Sequence, residues 1–135
     1  MKKTVLSFGV FDGLHPGHFF FLKQAKEQGD ELIISLARDE VVLELKGSLP
    51  TYHFNLRKKA LTETGLVGQV IRGDYTIGAY RSVTVARPQV ICLGYDQQML
   101  KLSLDDWMSK YEIIIPIITV DAFQPENYKS SLLNK

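Results

Sequence analysis

The chain has 135 residues, of which 45% are hydrophobic and 23% are charged, proportions typical of a globular domain that can bury a core. Sixteen basic and fifteen acidic side chains leave a formal net charge of +1, so composition gives no broad positive field for nucleic acid or for a membrane surface. The single cysteine, Cys92, excludes an internal disulfide and a multi-cysteine zinc site. It lies in an apolar run, which predicts a buried, inert thiol.

The first three residues are followed by an apolar stretch too short for a signal peptide. No apolar run approaches the length that spans a membrane. We see no internal repeat, low-complexity tract or linker, so a single domain over residues 1–135 is expected. These features together predict a cytoplasmic protein.

The amino-terminal third of the chain alternates between strand-like and helix-like segments. Residues 4–8 form an apolar run typical of a buried strand, and residues 19–26 have the one-sided apolar pattern of a helix. Residues 31–37 are nearly all apolar, which favours a strand covered on both faces. Residues 38–46 then carry a possible helical face before a Gly- and Pro-containing break.

The rest of the chain continues this alternation. In chain order the predicted segments are a helix over 55–64, a strand over 67–71, a helix over 80–87, a strand over 89–93, a helix over 100–110, a strand over 112–120 and a short final helix over 128–135. Repeated strand-then-helix order predicts parallel strands joined by right-handed crossovers. The fold class is therefore α/β, a Rossmann-like doubly wound sheet of about five parallel strands.

The most informative segment is residues 9–18, GVFDGLHPGH, which lies between the first predicted strand and the first predicted helix. The N–H groups that open a helix lack backbone partners, and the helix dipole adds positive charge there, so this turn suits phosphate. His15 and His18 are three residues apart and can direct ring nitrogens at one anion. They could instead ligate a metal or lie on the surface, but a zinc site needs further ligands, and only His53 and scattered acids remain.

Polar residues also follow the fourth predicted strand, at Gly94, Tyr95, Asp96 and Gln97. Ligands of doubly wound sheets collect at the carboxyl ends of the strands, near the point where the strand order reverses. The functional interpretation of this loop is contact with a ribose or a base. The alternative is a well-formed turn.

The segment 9–18 resembles the signature of the cytidylyltransferase-like nucleotidyltransferases, whose pattern is roughly G-x-F-D-x-x-H-x-G-H. Every fixed position of the pattern is present, at Gly9, Phe11, Asp12, His15, Gly17 and His18. Residues 29–40 resemble the second strand of these enzymes. Residues 93–97, LGYDQ, are more similar to the loop of archaeal-type FAD synthetases than to that of glycerol-3-phosphate cytidylyltransferases. Residues 129–131, KSS, resemble a late phosphate-binding loop.

The resemblance implies transfer of a nucleoside monophosphate from ATP or CTP to a small phosphorylated acceptor, with release of pyrophosphate and with Mg²⁺ accompanying the nucleotide. His15 and His18 would donate N–H groups to the α- and β-phosphates, Lys46 would lie near the triphosphate or the acceptor, and Arg57 would contact the ligand. The resemblance further assigns nucleotide binding to Gly9, Val10, Phe11, Asp12, Gly17, Gly94, Tyr95, Asp96, Gln97, Ser130 and Ser131.

Several of these residues also have ordinary structural interpretations. Asp12 could help to hold Mg²⁺ through water or could simply cap the turn. Lys46 could be a solvated surface charge. The basic start of the helix at Arg57 is poorly placed for the helix dipole, and a need for anions there would explain it. No protein ligand to a metal is predicted.

The loop 93–97 favours FMN as the acceptor and FAD as the product. The alternatives are glycerol-3-phosphate or another polyol or sugar phosphate with CTP, or a catalytically impaired nucleotide-binding relative. The last is suggested by Val10, where many relatives have threonine, and by the few residues that follow Ser131. Aminoacylation of tRNA is disfavoured, because the chain has no room for an anticodon-reading domain and is nearly neutral. The resemblance also implies a homodimer that binds neither nucleic acid nor membrane.

Overall fold

The structure is a computed structural model that describes residues 2–123. These residues contain five strands and five helices. In chain order they are β1 (Thr4–Gly9), α1 (Pro16–Lys26), β2 (Glu31–Leu36), α2 (Asp39–Lys46), α3 (Phe54–Glu63), β3 (Gln69–Arg72), α4 (Arg81–Ala86), β4 (Val90–Gly94), α5 (Gln98–Lys110) and β5 (Ile117–Val120).

The strands form one sheet in the order β3-β2-β1-β4-β5, and every pairing is parallel. The order reverses between β1 and β4, which makes the gap beyond their carboxyl ends the expected ligand site. The predicted fold class is confirmed. None of the helices within residues 2–123 has the length and apolar character needed to cross a membrane.

Helices cover both faces of the sheet, because successive side chains of a strand point to opposite sides. Val5 of β1 packs in one core with Leu22 of α1 and Leu61 of α3. The next residue, Leu6, packs in the other core with Leu104 of α5. Burial on both faces explains why the central strands read as continuous apolar runs.

The carboxyl ends of four strands are tied to one another. The N–H of Ala37, just after β2, donates to the Gly9 carbonyl at 3.0 Å, and the N–H of Gly73, just after β3, donates to the Leu36 carbonyl at 2.8 Å. The Gln97 side-chain amide donates to the Phe8 carbonyl at 3.0 Å. The loops that follow β1, β2, β3 and β4 therefore share one edge of the sheet.

Two predicted boundaries differ from the observed ones by three residues or more. The strand predicted over 112–120 contains only Ile117–Val120, because the N–H of Ile113 continues to the Met108 carbonyl at 2.8 Å and Glu112 adopts a positive φ of 55°. The first helix begins at Pro16, not at residue 19. The final helix predicted over 128–135 lies outside the described residues.

Cys92 is completely buried in β4. Burial raises the pKa of its thiol to about 11, which keeps the thiol protonated and unreactive at neutral pH. The predicted burial of Cys92 is confirmed.

The turn from α1 into β2 leaves no room for a side chain at Gly29. A Cβ atom there would lie 2.7 Å from the Lys3 carbonyl oxygen and 2.8 Å from Val5 Cγ2. We expect Gly29→Ala to lower the free energy of unfolding by about 1–3 kcal/mol, measured by urea denaturation, because the β1 backbone must shift. Gly68→Ala is the control, since its Cβ would meet only the flexible side chain of Glu31. Equal effects of the two substitutions would contradict this account.

Candidate active site

The turn after β1 is filled by its own aromatic side chain. Phe11 adopts a left-handed φ of 48°, and a Cβ atom on Gly9 would lie 2.5 Å from Phe11 Cε2. The Phe11 ring also lies 5.3 Å from the His18 ring, centroid to centroid. The Phe11 ring therefore leaves no room for a side chain at Gly9, which gives this glycine a structural role beside the nucleotide binding that the resemblance implies.

His15 and His18 cap the start of α1 reciprocally. His15 Nδ1 accepts hydrogen bonds from the N–H groups of Gly17 at 3.1 Å and of His18 at 3.3 Å. In return, His18 Nδ1 accepts from the N–H of His15 at 3.3 Å. This is a capping box in which imidazoles replace the usual Ser or Thr and Glu. The two rings stack with their centroids 3.7 Å apart.

The capping corrects one part of the sequence interpretation. The N–H groups of Gly17 and His18 were expected to lie free for phosphate, but in this structure His15 Nδ1 accepts from both. A Cβ atom on Gly17 would lie 2.9 Å from His15 Cε1, so this glycine makes room for the capping ring. At the first turn of α1 the donors left for an anion are therefore the imidazoles and not these two N–H groups.

The same hydrogen bonds fix the tautomers of both histidines. A ring nitrogen that accepts a hydrogen bond carries no proton, so each neutral ring has its proton on Nε2. Burial lowers the pKa of His18, and the electrostatic interaction with the stacked His15 ring lowers it further, while the Gly13 carbonyl acts in the opposite direction. His18 is therefore neutral at pH 7, with an Nε2–H donor.

Asp12 connects the turn between β1 and α1, called here the histidine turn, to the loop before α3. Its two carboxylate oxygens accept from the N–H groups of Thr51 at 2.7 Å and of Tyr52 at 2.8 Å. Burial raises the pKa of Asp12, but these two N–H groups and the charges of Arg57 and Lys46 lower it by more, so the net pKa lies below its ordinary value. Of the two interpretations of Asp12, the geometry favours the structural one.

Arg57 is completely buried, against the expectation of direct ligand contact. Its Nε donates to the Tyr52 carbonyl at 2.8 Å, and its Nη1 donates to the Val10 carbonyl at 2.9 Å. Its Nη2 pairs with the Asp39 carboxylate. The anion required by the basic start of α3 is therefore Asp39, and we assign Arg57 a positioning role behind the turn.

Lys46 ends α2 with an exposed side chain. Beside the larger effects of burial and of backbone hydrogen bonds, its charge helps to lower the pKa values of Asp12 and His18. It therefore lies within electrostatic range of the turn. Gly47 ends the helix in the left-handed conformation, with φ of 79°.

The loop after β4 divides into a structural residue and two accessible ones. Gln97 Oε1 accepts from the Gly94 N–H at 2.8 Å, and its Nε2 donates to Phe8, so this amide joins β4 to β1 rather than reaching a base. Tyr95 is 54% exposed. Asp96 is also exposed, and its charge acts on His18. Tyr95 and Asp96 therefore remain available to a ligand.

The described site does not provide a set of metal ligands. Within residues 2–123 no group of three or more His, Cys, Asp or Glu side chains is arranged to hold a metal ion. Both Asp12 oxygens accept backbone hydrogen bonds. The remaining predicted contacts, Ser130 and Ser131, lie outside the described residues.

Sequence reasoning missed Asp39. The signal for it was an acidic residue in the first turn of one helix followed by a basic start of the next helix, Arg57 to Lys59. Asp39 accepts from Arg57 with one oxygen and from the Phe54 N–H with the other, at 3.3 Å. A charge pair between consecutive helices could therefore have been proposed.

The sequence matches a family model described as cytidylyltransferase-like over residues 6–135. The chain belongs to the cytidylyltransferase-like family. The FAD synthase of Thermococcus sibiricus is 37% identical over 131 residues, which cover 97% of this chain and 86% of that protein. The FAD synthase of Thermoplasma volcanium is 32% identical, with coverages of 97% and 91%. The predicted family and the nucleotidyltransferase activity are confirmed.

Solved structures agree with the fold of this cytidylyltransferase-like chain. The lipopolysaccharide core biosynthesis protein of Thermoplasma volcanium superposes with a TM-score of 0.83 at 31% identity, covering 92% of this chain and 100% of that one. Pantothenate synthetase of Thermus thermophilus superposes with a TM-score of 0.65 at 12% identity, covering 95% and 61%. The second likeness concerns the fold alone.

The hydrogen bonds of Arg57 predict a large loss of stability when the guanidinium is removed. We expect Arg57→Met to lower the free energy of unfolding by at least about 2 kcal/mol, because Asp39 and two carbonyl groups lose their donor. Urea denaturation measures the change. Lys58→Met, at an exposed position of the same helix, is the control and should change stability by less than about 0.5 kcal/mol. A loss no larger than the control's would contradict the assignment.

The lowered pKa of His18 predicts a pH-dependent stability. The neutral ring is favoured in the folded protein, so its contribution is complete above the ordinary pKa of 6.5 and is lost as the pH falls through the folded value. His18→Asn keeps a capping acceptor but does not titrate. We expect the stability advantage of the wild type over this variant to shrink between about pH 7.5 and about pH 5, by urea denaturation. A difference independent of pH would contradict the prediction.

Proposed function

We propose that the protein transfers AMP from ATP to FMN, which yields FAD and pyrophosphate. The observation that carries the reaction type is the reciprocally capped pair of His15 and His18, which leaves two Nε2–H donors at the carboxyl end of β1. The choice of substrates is supported by similarity to FAD synthases over 97% of the chain. The sequence of residues 93–97 supports the same choice.

The reaction needs positioning and charge stabilisation more than proton transfer. An oxygen of the FMN phosphate attacks the α-phosphorus of ATP, and the bond from that phosphorus to the bridging oxygen breaks, so pyrophosphate leaves with the electron pair. A phosphate monoester has a second pKa near 6 and is largely dianionic at pH 7, so it needs no general base. Donors aimed at the phosphate oxygens then stabilise the charge that develops in the transition state.

Each accessible residue has a distinct role in this proposal. His15 and His18 donate from Nε2 to oxygens of the α- and β-phosphates. Lys46 neutralises the triphosphate, and Tyr95 and Asp96 contact the ribose or the base. Mg²⁺ enters with ATP as part of the substrate and is held mainly by phosphate oxygens and water.

A second candidate is transfer of CMP from CTP to a sugar or polyol phosphate. The observation in its favour is the likeness, at 31% identity, to a structure described as a lipopolysaccharide core biosynthesis protein. Both reactions use the turn that carries His15 and His18, and both release pyrophosphate. Only the substrates therefore distinguish them.

Three expectations from the sequence carry over as part of the proposal. The chain acts as a single domain, as a homodimer, and in the cytoplasm. The dimer follows from the family resemblance, and analytical ultracentrifugation of the purified chain tests it directly. A mass near 15.3 kDa at enzyme-assay concentrations would contradict the dimer.

Pyrophosphate release tests the choice of substrates. We expect release with ATP and FMN, and little with CTP and glycerol-3-phosphate, because the chain is similar to FAD synthases over nearly its whole length. Formation of FAD, followed by chromatography, identifies the product. Turnover only with CTP and a polyol or sugar phosphate would replace the first candidate by the second. Nucleotide binding without turnover of any pair would indicate an impaired relative.

The role of His18 predicts a difference between two amide substitutions. Asparagine places its amide near the position of Nδ1 and keeps the cap, while glutamine places an N–H donor near the position of Nε2. We expect His18→Asn to lower kcat/KM by about 100- to 1,000-fold, and His18→Gln to recover part of that loss. Steady-state kinetics with ATP and FMN measure both. Unchanged turnover in the asparagine variant would refute the proposed donor role.

A further inference from the structure

A second groove lies at the carboxyl ends of β2 and β3, with a volume of about 250 Å³. Its lining includes Arg38, Arg72 and Arg81 together with Tyr75, and we call it the arginine groove. Asp74 is the one carboxylate that lines it. Arg38 and Arg81 outnumber this carboxylate in an otherwise near-neutral chain, so the groove is a local anion site candidate.

Arg38 is held in place by neutral groups. Its guanidinium carbon lies 3.4 Å from the centroid of the Tyr75 ring, and its Nε donates to the Gly73 carbonyl at 2.6 Å. The side chain is only 15% exposed, and its carboxylate contact, with Glu40, is long at 4.0 Å. Arg38 is therefore a fixed, largely buried cation whose charge is only weakly compensated, the state that suits recognition of a phosphate.

The other two arginines of the lining are placed differently from each other. Arg81 is exposed, and no carboxylate in residues 2–123 lies within 4.0 Å of its guanidinium. Asp74 accepts from the backbone N–H of Arg81 at 2.9 Å rather than from its side chain. The Arg72 guanidinium lies over the Phe54 ring, 4.1 Å from its centroid. The Arg72 side chain therefore lies on the Phe54 face of the sheet, opposite to Ile71 of the groove. Arg38 and Arg81 are the two cations that keep donor groups for a ligand in the groove.

The groove lies beside the turn that carries His15 and His18, because β2 is the neighbour of β1 in the sheet. Ala37, directly before Arg38, donates its N–H to the Gly9 carbonyl at 3.0 Å, and neighbouring strands are about 4.8 Å apart. The groove over β2 and β3 therefore begins within about 10 Å of the end of β1. It lies on the side of β1 opposite to β4, because the strand order is β3-β2-β1-β4-β5. An acceptor that attacks in line must approach from the side opposite to the leaving pyrophosphate.

We propose that the arginine groove binds the phosphate monoester of the acceptor, with Arg38 and Arg81 as its principal donors. This inference rests on the proposed nucleotidyl transfer, but the ligand class it names is any small phosphate monoester. A guanidinium offers two parallel N–H groups to phosphate oxygens, which orients the dianion as well as binding it. Arg38 and Arg81 are thus specificity-determining residues for the acceptor, separate from the histidines that contact the nucleotide.

The test compares the binding of FMN with that of riboflavin, which lacks the phosphate, to the full chain by flavin fluorescence. We expect Arg81→Gln and Arg38→Lys each to weaken FMN binding by about tenfold or more, while riboflavin binding stays within about twofold. Arg87→Gln is the matched control, because this exposed arginine caps α4 outside the groove. Equal losses for FMN and riboflavin, or no loss for FMN, would overturn the inference. We expect Arg81→Gln to fold normally, because the Arg81 side chain has no ion pair within residues 2–123.

Titration with inorganic phosphate separates this inference from the proposed function. We expect phosphate to shift the amide resonances of Gly73, Tyr75 and Arg81 in the wild type and not in Arg81→Gln. If phosphate gives these shifts but FMN neither binds nor reacts, phosphate binding in the groove is supported and FMN is the wrong acceptor. If FMN is adenylylated with an unchanged KM in both groove variants and phosphate shifts none of these amides, the proposed function is supported. The proposal that the arginine groove binds the acceptor phosphate is then refuted.

Discussion

The rest of the site depends on the reciprocal capping of α1 by His15 and His18. Each ring accepts backbone N–H groups at the start of the helix with its Nδ1. The reciprocal hydrogen bonds between His15 and His18 hold both rings against the start of α1, stacked 3.7 Å apart. They also place the remaining proton of each ring on Nε2. A structural device that satisfies backbone N–H groups therefore produces two fixed donors for phosphate.

The turn is supported from behind by a series of charged and polar contacts. Asp12 holds the loop before α3 through two N–H groups, and buried Arg57 joins that loop to the Val10 carbonyl and to Asp39. Because Arg57 has no exposed surface, its charge serves the geometry of the turn. A buried pair of this kind is expected to hold one arrangement of three segments, rather than to add much net stability.

The fold was largely predictable from the sequence, because long apolar runs and regular alternation of strands and helices leave few arrangements. The boundaries that failed have local causes. The stretch 112–116 is apolar enough to resemble a strand, but the hydrogen bond from Ile113 to Met108 keeps it at the end of α5. The start of α1 was placed late, because imidazole caps are not among the usual N-cap residues.

The site was predictable as a location but not in its details. The family resemblance placed His15, His18 and Lys46 near one ligand, and in the structure the charge of Lys46 acts on both Asp12 and His18. The resemblance did not reveal that Gly9 and Gly17 make room for rings of the protein itself, or that the Gln97 amide is used to join two strands. The two glycines depend on how rings two positions away are oriented, and the Gln97 amide reaches a carbonyl 89 positions away. The pairing of Arg57 with Asp39 spans eighteen positions, and its one signal was an acidic start of one helix followed by a basic start of the next.

The protonation of the two histidines tests the central claim most directly. Nitrogen-15 NMR of the histidine side chains distinguishes a protonated ring nitrogen from an unprotonated one at each position. The account predicts that both rings carry their proton on Nε2 near pH 7.5, and that addition of ATP shifts the Nε2 resonances while Nδ1 keeps its capping hydrogen bond. A proton on Nδ1 of either ring, or Nε2 resonances that ATP leaves unchanged, would contradict it.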